Sequence, residues 1–275
     1  MKINAPAKIN LSLDVLKKRD DGYHELKMIM QSVSLYDEIN IEIDDKISIN
    51  SNKKNIPLDN RNLAWKAAEL FFEYTGVSGG CKIYIEKNIP DGAGLGGGSS
   101  DAAAVLKALN DIYNTNLTDE QLQKIAIKIG ADVPFFIIGG TCLAEGIGEK
   151  LTKIENKLNP YVIIYKPDFS ISTKWVYENL NLACKPQFNI DEIIDDLKNG
   201  NISFSNKIFN WLEEVSIHEY PEISNIKNNM KSLGADGVLM SGSGSSVFGI
   251  FFDEIKAKQA FLKLEKNNIF LVKFI

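Results

Sequence analysis

In this 275-residue chain the residues best suited to chemistry fall in one stretch, Pro90-Asp91-Gly92-Ala93-Gly94-Leu95-Gly96-Gly97-Gly98-Ser99-Ser100-Asp101. Glycines accept positive φ and leave no Cβ between the main chain and a ligand. Ser99, Ser100 and Asp101 are suited to cap a helix N-terminus, and the run Asp101 to Leu109 behind them is helix-like. Free N–H groups of a first helical turn, at the positive end of the helix dipole, seat an anion. The stretch therefore reads as a phosphate cradle. No Gly-Lys-Ser/Thr closes it, so it is not a Walker loop. Gly92, Gly94 and Gly97 satisfy Gly-x-Gly-x-x-Gly, but a dinucleotide site needs a strand after the helix. The next element here is an amphipathic helix, Thr118 to Gly130. A plain flexible turn needs one or two glycines, not five.

The elements that position this loop can be read in order. Ile9, Leu11, Leu13 and Val15 alternate with Asn10, Ser12 and Asp14, the pattern of a half-buried strand. Asp20-Asp21-Gly22 is a turn. Met28 to Leu35 forms a second strand, and Ile39–Ile43 pairs with Lys46–Ile49 as a hairpin through Asp44-Asp45. A polar loop runs from Asn50 to Asn60. Asn62 caps a helix presenting Leu63, Ala67, Leu70, Phe71 and Tyr74. The strand Cys81–Glu86 leads into the glycine loop. Thr118 and Gln121 have capping-box spacing, and Asp132-Val133-Pro134 opens a short apolar piece to Ile138. Strands follow near Thr141–Ala144 and Glu149–Ile154. After Asn159-Pro160 the pattern restarts with the strand Tyr161–Tyr165, then helices from Thr173, Ile190, Phe204 and Pro221. Strand Val238–Met240, turn Ser241-Gly242-Ser243-Gly244, strand Val247–Phe252, helix Glu254–Lys266 and strand Ile269–Phe274 complete the chain. The boundary is expected between domains 1–157 and 158–275.

Composition narrows the function classes. Apolar residues make up 44% and charged residues 24%, as in an ordinary globular protein with ample core. Net charge of −5 argues against a general nucleic-acid binder. Cys81, Cys142 and Cys184 are far apart and odd in number, which reads as buried thiols in a reducing compartment. Only His24 and His218 are present, so a zinc cluster is not expected. Gly242-Ser243-Gly244-Ser245 is followed by a strand pattern, unlike a hydrolase nucleophile elbow. No leader or long apolar span is seen, and a cytoplasmic protein without membrane partners is expected.

Three separated stretches, Pro6-Ala7-Lys8-Ile9-Asn10-Leu11, Pro90 to Asp101 and Ser241–Gly244, together resemble the three motifs of the galactokinase, homoserine kinase, mevalonate kinase and phosphomevalonate kinase (GHMP) superfamily. Asp20-Asp21-Gly22-Tyr23-His24 and Gly130-Ala131-Asp132-Val133-Pro134 resemble the branch that phosphorylates a cytidine diphosphate-linked methylerythritol in the non-mevalonate isoprenoid pathway. The resemblance implies an α+β fold of two domains, the first like the second domain of ribosomal protein S5 and the second ferredoxin-like. It implies ATP and Mg²⁺, a small-molecule substrate, no nucleic acid, and a monomer or homodimer.

The resemblance also assigns roles. Asp132, by itself an N-cap residue, becomes the catalytic base. Lys8, by itself a solvated lysine at a strand start, becomes its catalytic partner. Pro90, Asp91, Gly92, Ala93, Gly94, Leu95, Gly96, Gly97, Gly98, Ser99 and Ser100 hold the ATP phosphates. Tyr23 and His24, otherwise a core aromatic and a surface histidine, read the cytosine by stacking and edge hydrogen bonds. Asn10, Thr173 and Tyr177 join them at the acceptor, and Gly242 and Gly244, otherwise a plain turn, close the acceptor site. No residue is assigned to the metal. Asp101 and Glu145 are the candidate carboxylates, with a helix cap and a surface acid as their simpler readings. The competing functions are a homoserine- or mevalonate-type kinase of the same superfamily, and a non-enzymatic binding module on the same fold.

Overall fold

The computed structural model describes residues 1–182, 187–264 and 268–275. They form two compact units that alternate along the chain. The first holds Met1–Ala7, Leu35–Asp91 and Gly96–Gly139, and the second holds Lys8–Ser34, Gly92–Leu95 and Gly140–Ile275. Strands β1 (Lys2–Lys18) and β2 (His24–Asp44) contribute residues to both.

In the first unit the C-terminal part of β2 pairs antiparallel with β4 (Gly80–Glu86), from Glu38↔Glu86 to Asp44↔Gly80. The far edge of β4 takes β3 (Ser48–Ser51) in parallel, Ser48↔Lys82. The expected hairpin between Ile39–Ile43 and Lys46–Ile49 is therefore not formed, because β4 lies between its two strands. The apolar alternation that suggests a hairpin identifies strands but not partners. Gly80 permits the arrangement: a Cβ there would sit 2.4 Å from the Lys46 backbone.

Four helices complete this unit: α1 (Leu63–Thr75), α2 (Gly97–Ile112), α3 (Asp119–Ile129) and α4 (Val133–Ile138). Asn62 caps α1 by accepting the Ala64 N–H, and Thr118 with Gln121 forms a reciprocal capping box on α3. Helix α2 buries Ala102, Ala103, Ala104, Val105, Leu106, Ala108 and Leu109. Its alanines let α1, which presents Ala64, Ala67, Ala68 and Phe71, pack closely against it. Tyr74, placed on the same face by periodicity, is 43% exposed instead.

In the second unit β5 (Thr141–Gly146) pairs antiparallel with the N-terminal part of β2, β6 (Lys150–Ile154) pairs with β5, and the two-residue β8 (Phe209–Asn210) lies parallel to β1 at Ser12 and Leu13. Met28–Leu35 and Ile39–Ile43, expected as two strands, are parts of the single 21-residue β2. A separate antiparallel sheet runs in the order β11 (Ile269–Lys273), β7 (Tyr161–Tyr165), β10 (Val247–Phe251), β9 (Gly237–Met240). Helices α8 (Glu222–Ser232) and α9 (Glu254–Leu264) pack on it. The four-strand order, with the last strand beside the first, is that of a ferredoxin-like sheet. Three further helices are α5 (Thr173–Glu178), α6 (Ile190–Asn199) and α7 (Leu212–Glu219). The helix expected from Phe204 is instead a 3-10 turn, Ile202–Asn206, followed by β8. Asn201 caps that turn through the Ser203 N–H, and Phe209 then finds a strand partner that local sequence does not reveal.

Strand β1 is not half-buried as its alternation suggests. Asn10, Ser12 and Asp14 are as enclosed as Ile9, Leu11 and Leu13. Their polar atoms have work inside: Ser12 Oγ accepts the Ile29 N–H at 3.2 Å, and Asn10 Oδ1 accepts Lys8 Nζ at 2.7 Å. Cys81 and Cys142 are buried, and burial pushes their thiols up to about 12 and about 11, so both stay protonated and unreactive. Cys184 lies outside the described residues. Among the described residues no helix is long and apolar enough to cross a membrane.

Candidate active site

The first unit carries the exit of the glycine loop. Helix α2 begins at Gly97, two or more residues earlier than Ser99-Ser100-Asp101 suggests, and its N-cap is Gly96 in the left-handed region with φ of 73°. None of those three side chains caps it. Gly96 makes no side-chain cap bond, and the first intrahelical bond runs from the Ser100 N–H to the Gly96 carbonyl at 2.9 Å. The N–H groups of Gly97, Gly98 and Ser99 precede that bond, and no acidic residue stands in the first turn. A first turn without a side-chain cap or an acid keeps its donors and dipole for an external anion.

Asp101 is neither a cap nor a surface acid. It is buried at 3% exposure and accepts Lys87 Nζ at 2.9 Å. Burial, with Asp37 nearby, pushes its carboxyl up to about 8, against the pull of Lys87. Glu145 is an exposed residue of β5. Among the described residues no group of three or more His, Cys, Asp or Glu side chains could hold a metal ion.

Asp132 lies between α3, which ends at Gly130, and α4. It stands at the N-cap position with φ −82° and ψ −15°, yet its carboxylate makes no cap bond to α4. Pro134 in the first turn of α4 has no N–H to offer, which removes one of the usual capping donors. The residue is half-buried.

The second unit carries Lys8, Asn10, the centre of the glycine loop and the 241–244 turn. Lys8 is 5% exposed. Its N–H donates to the Leu95 carbonyl at 2.9 Å, and its ammonium donates to Asn10. Asn10 Nδ2 in turn points at Met28 Sδ, 3.4 Å away. Sequence alone makes this lysine a solvated one; the structure ties it to the loop.

The 241–244 turn packs directly on the loop. Ser241 Oγ donates to the Gly94 carbonyl at 3.0 Å, and the Ser246 N–H donates to the Ala93 carbonyl at 3.2 Å. A Cβ on Gly94 would lie 2.1 Å from the Ser241 carbonyl oxygen, and one on Gly242 would lie 3.5 Å from Gly94. Asn210, which sequence reading did not single out, holds the turn from behind. Its Nδ2 donates to the carbonyls of Met240 and Gly242 at 2.8 and 2.7 Å. The only local sign is a lone polar residue between Phe209 and Trp211. Thr173 reaches the same turn, with Oγ1 2.7 Å from Ser243 Oγ.

A second cluster in this unit surrounds the turn after β1. His24 stacks on Tyr177, with ring centroids 4.9 Å apart and planes at 25°. Burial and the nearby Lys18 charge hold the His24 imidazole below its ordinary value, so it is neutral at pH 7. Tyr23 is 61% exposed and so does not pack on the core. Its backbone is fixed by the Asp21 carboxylate, which accepts the Tyr23 N–H at 3.0 Å, while Arg19 bridges Asp21 and Glu25. The turn thus presents an exposed aromatic residue next in sequence to a stacked one.

Comparison with known proteins identifies the scaffold. The model of the GHMP kinases N terminal domain matches residues 62–140, and that of the GHMP kinases C terminal domain matches residues 189–269. The chain belongs to the GHMP kinases. It is 46% identical over its full length, and that of its relative, to a 4-diphosphocytidyl-2-C-methyl-D-erythritol kinase from Clostridium beijerinckii. A namesake from Caldicellulosiruptor bescii is 48% identical, covering all of this chain and 96% of the relative. A crystal structure of 4-(cytidine 5'-diphospho)-2C-methyl-D-erythritol kinase superposes with a TM-score of 0.86 at 35% identity, covering 100% of this chain and 99% of the other. A homoserine kinase from Cytophaga hutchinsonii shares the fold, with a TM-score of 0.80 at 21% identity over 98% and 92% of the two chains.

As a GHMP kinase, the chain has the α+β fold that the three motifs imply, and its glycine loop is neither a Walker loop nor a dinucleotide fingerprint. Helix α2 is followed by α3 and not by the strand a dinucleotide site requires.

Proposed function

We propose that this GHMP kinase transfers the γ-phosphoryl group of ATP to the 2-hydroxyl of 4-diphosphocytidyl-2-C-methyl-D-erythritol. The observation that carries the reading is 46–48% identity, across the whole chain, to relatives that bear that enzyme's name. The stacked His24–Tyr177 pair beside the exposed Tyr23 supports it, because an unpaired base is bound by aromatic faces and edge hydrogen bonds.

In this reading Asp132 accepts the proton of the acceptor hydroxyl. The hydroxyl oxygen forms a bond to the γ-phosphorus, and the bond from that phosphorus to the β,γ-bridging oxygen breaks, leaving ADP. Lys8 supplies positive charge to the same hydroxyl, and Asn10 orients the ammonium of Lys8 by accepting one of its hydrogens. The N–H groups at the start of α2, with the backbone from Pro90 to Gly96, hold the phosphates. Most acceleration in such a transfer comes from alignment and charge stabilisation, and proton removal adds about 10²–10⁴-fold. Magnesium bound with the nucleotide would offset the phosphate charge; this ion usually keeps several waters and takes one or two carboxylates beside the substrate phosphates, and no acidic cluster among the described residues marks its place. Tyr23, His24, Thr173 and Tyr177 receive the cytidine, and the Gly242–Gly244 turn closes the acceptor site. This reading keeps the expected domains 1–157 and 158–275, a division compatible with family matches at 62–140 and 189–269. The same reading places the enzyme in the cytoplasm as a monomer or homodimer.

The test is ADP release with ATP, magnesium and each candidate acceptor, beside Asp132→Asn. Acceptor-dependent release that falls by at least about 10²-fold in Asp132→Asn, with ATP binding retained, supports the reading. Release with homoserine or a mevalonate compound in place of the cytidine substrate would overturn the acceptor assignment and keep the kinase. Normal turnover by Asp132→Asn would remove the base.

A further inference from the structure

The glycine loop leaves β4 at one end and enters α2 at the other, and one buried ion cluster joins both ends. Asp37 of β2 is fully enclosed. Its Oδ1 accepts the N–H groups of Asn88 and Ile89, the residues leading into the loop, at 2.6 and 2.8 Å. Its Oδ2 accepts Lys87 Nζ at 2.5 Å. Lys87 then reaches Asp101 Oδ2 in the second turn of α2, at 2.9 Å. Lys87 and Asp101 are 4% and 3% exposed.

Gly97 is shaped to this cluster. A Cβ there would lie 3.1 Å from Lys87 Nζ and 3.1 Å from Ile89 Cγ2. The missing side chain at the first helical residue lets the ammonium pass beneath the turn that carries the open N–H groups. Stability is a poor reason for such a cluster. Two carboxylates share one ammonium in a dry interior, and Asp101 Oδ1 has no hydrogen-bond partner among the described residues. Buried ion pairs seldom stabilise more than apolar side chains of the same volume. What the cluster does is fix geometry: it couples β2, the residues before the loop and the helix after it through short, directional, charge-assisted bonds.

We infer that Lys87, Asp37 and Asp101 are positioning residues that hold the two ends of the phosphate loop at the separation a nucleotide triphosphate requires. The inference rests on the kinase reading above for the identity of the ligand. It assigns to Lys87 a role through the loop, with no contact to substrate. The cluster sets ATP affinity and leaves acceptor affinity alone.

The experiment compares wild type with Lys87→Met, Asp101→Ala and Asp101→Asn. ATP dissociation constants come from calorimetry, acceptor KM from steady-state rates, and folding from thermal melts. Lys87→Met removes the ammonium and keeps an unbranched side chain in its place. Asp101→Asn keeps an oxygen for Lys87 to donate to. Lys87→Met and Asp101→Ala are expected to weaken ATP binding by about tenfold or more, because small misplacements of positioned groups have large effects. Acceptor KM is expected to stay within about twofold, the size of an indirect effect, and Asp101→Asn to bind ATP within about threefold of wild type.

Folded Lys87→Met and Asp101→Ala with unchanged ATP affinity would overturn the inference. So would an equal rise in acceptor KM. Failure of both to fold would overturn it too, since the cluster would then be a requirement of the fold. A wild type that binds ATP but shows no acceptor-dependent turnover would count against the kinase reading, while the calorimetry still decides on the cluster.

Discussion

Gly94→Ala should disrupt the contact between the glycine loop and the 241–244 turn, and the size of the effect follows from the structure. Gly94 has φ of +75°, and an added Cβ would lie 2.1 Å from the Ser241 carbonyl oxygen and 3.1 Å from that of Gly244. Left-handed backbone costs an alanine about 1–2 kcal/mol. The clash comes on top. Ordinary contact begins at 3.4 Å, so the segments must part by 3.4 − 2.1 = 1.3 Å. That movement breaks the bonds from Ser241 Oγ to the Gly94 carbonyl and from the Ser246 N–H to the Ala93 carbonyl. At about 1 kcal/mol each they bring the total to about 3–4 kcal/mol.

Gly22→Ala is the control. Gly22 has φ of +86° with nothing within 4 Å of its ideal Cβ, so only the backbone cost of about 1–2 kcal/mol applies. Urea unfolding followed by tryptophan fluorescence measures both variants. Gly94→Ala is expected to lose about 2 kcal/mol more than Gly22→Ala, the cost of the two broken bonds. ATP affinity is expected to fall on the order of 100-fold in Gly94→Ala only, as for a displacement of about 1 Å in a positioned site. A difference under about 0.5 kcal/mol, less than one hydrogen bond, would refute the argument that backbone contact with the turn determines this glycine.

Other expected outcomes are equally direct. Tyr177→Ala removes the stack on His24 and should raise acceptor KM by about 2- to 13-fold, since an aromatic pair contributes about 0.5–1.5 kcal/mol; an unchanged value with acceptor-dependent turnover intact would remove Tyr177 from the substrate site. Asn210→Leu leaves the carbonyls of Met240 and Gly242 without their donor and should cost about 2–4 kcal/mol in denaturant unfolding. The protonation of Asp101 gives stability a pH signature. Burial raises its carboxyl from 3.8 to about 8, so the folded chain holds that proton where the unfolded chain has lost it. The contribution is complete below about pH 4 and lost as the pH rises towards about 8. Lys87, held above its ordinary value, loses its share only at higher pH. Relative to Asp101→Asn, wild type should therefore lose stability across that window, and parallel melting curves from pH 5 to 8 would contradict this.

Most of what could be read from the sequence came from local steric and capping rules. Asn62, Thr118 and Gln121 act on backbone within three residues, and their caps formed where expected. The turn at Asp20–Gly22 and the ferredoxin-like strands of the C-terminal half were legible for the same reason, because alternation and turn residues are short-range signals. The family was legible too, since three motifs in order are more specific than any one of them.

Misreadings fell where the deciding partner is distant in sequence. Periodicity announced Ile39–Ile43 and Lys46–Ile49 as strands, but both pair with β4, which lies between them. Asn10, Ser12 and Asp14 alternate like a solvent face, and only packing on both sides of β1 buries them. Ser99, Ser100 and Asp101 look like helix caps, yet Gly96 takes the N-cap and Asp101 turns inward to Lys87.

By itself, then, the amino-acid sequence determined most of the elements, the caps of α1 and α3, the phosphate-loop composition and the family. Tertiary structure alone decided which strands are neighbours, which polar side chains lie inside, and that Lys87, Asp37 and Asp101 meet. The physical reason is one of range: capping and periodicity act within a few residues, whereas the ion pairs of Lys87 join groups 14 and 50 residues apart that only the folded chain brings together.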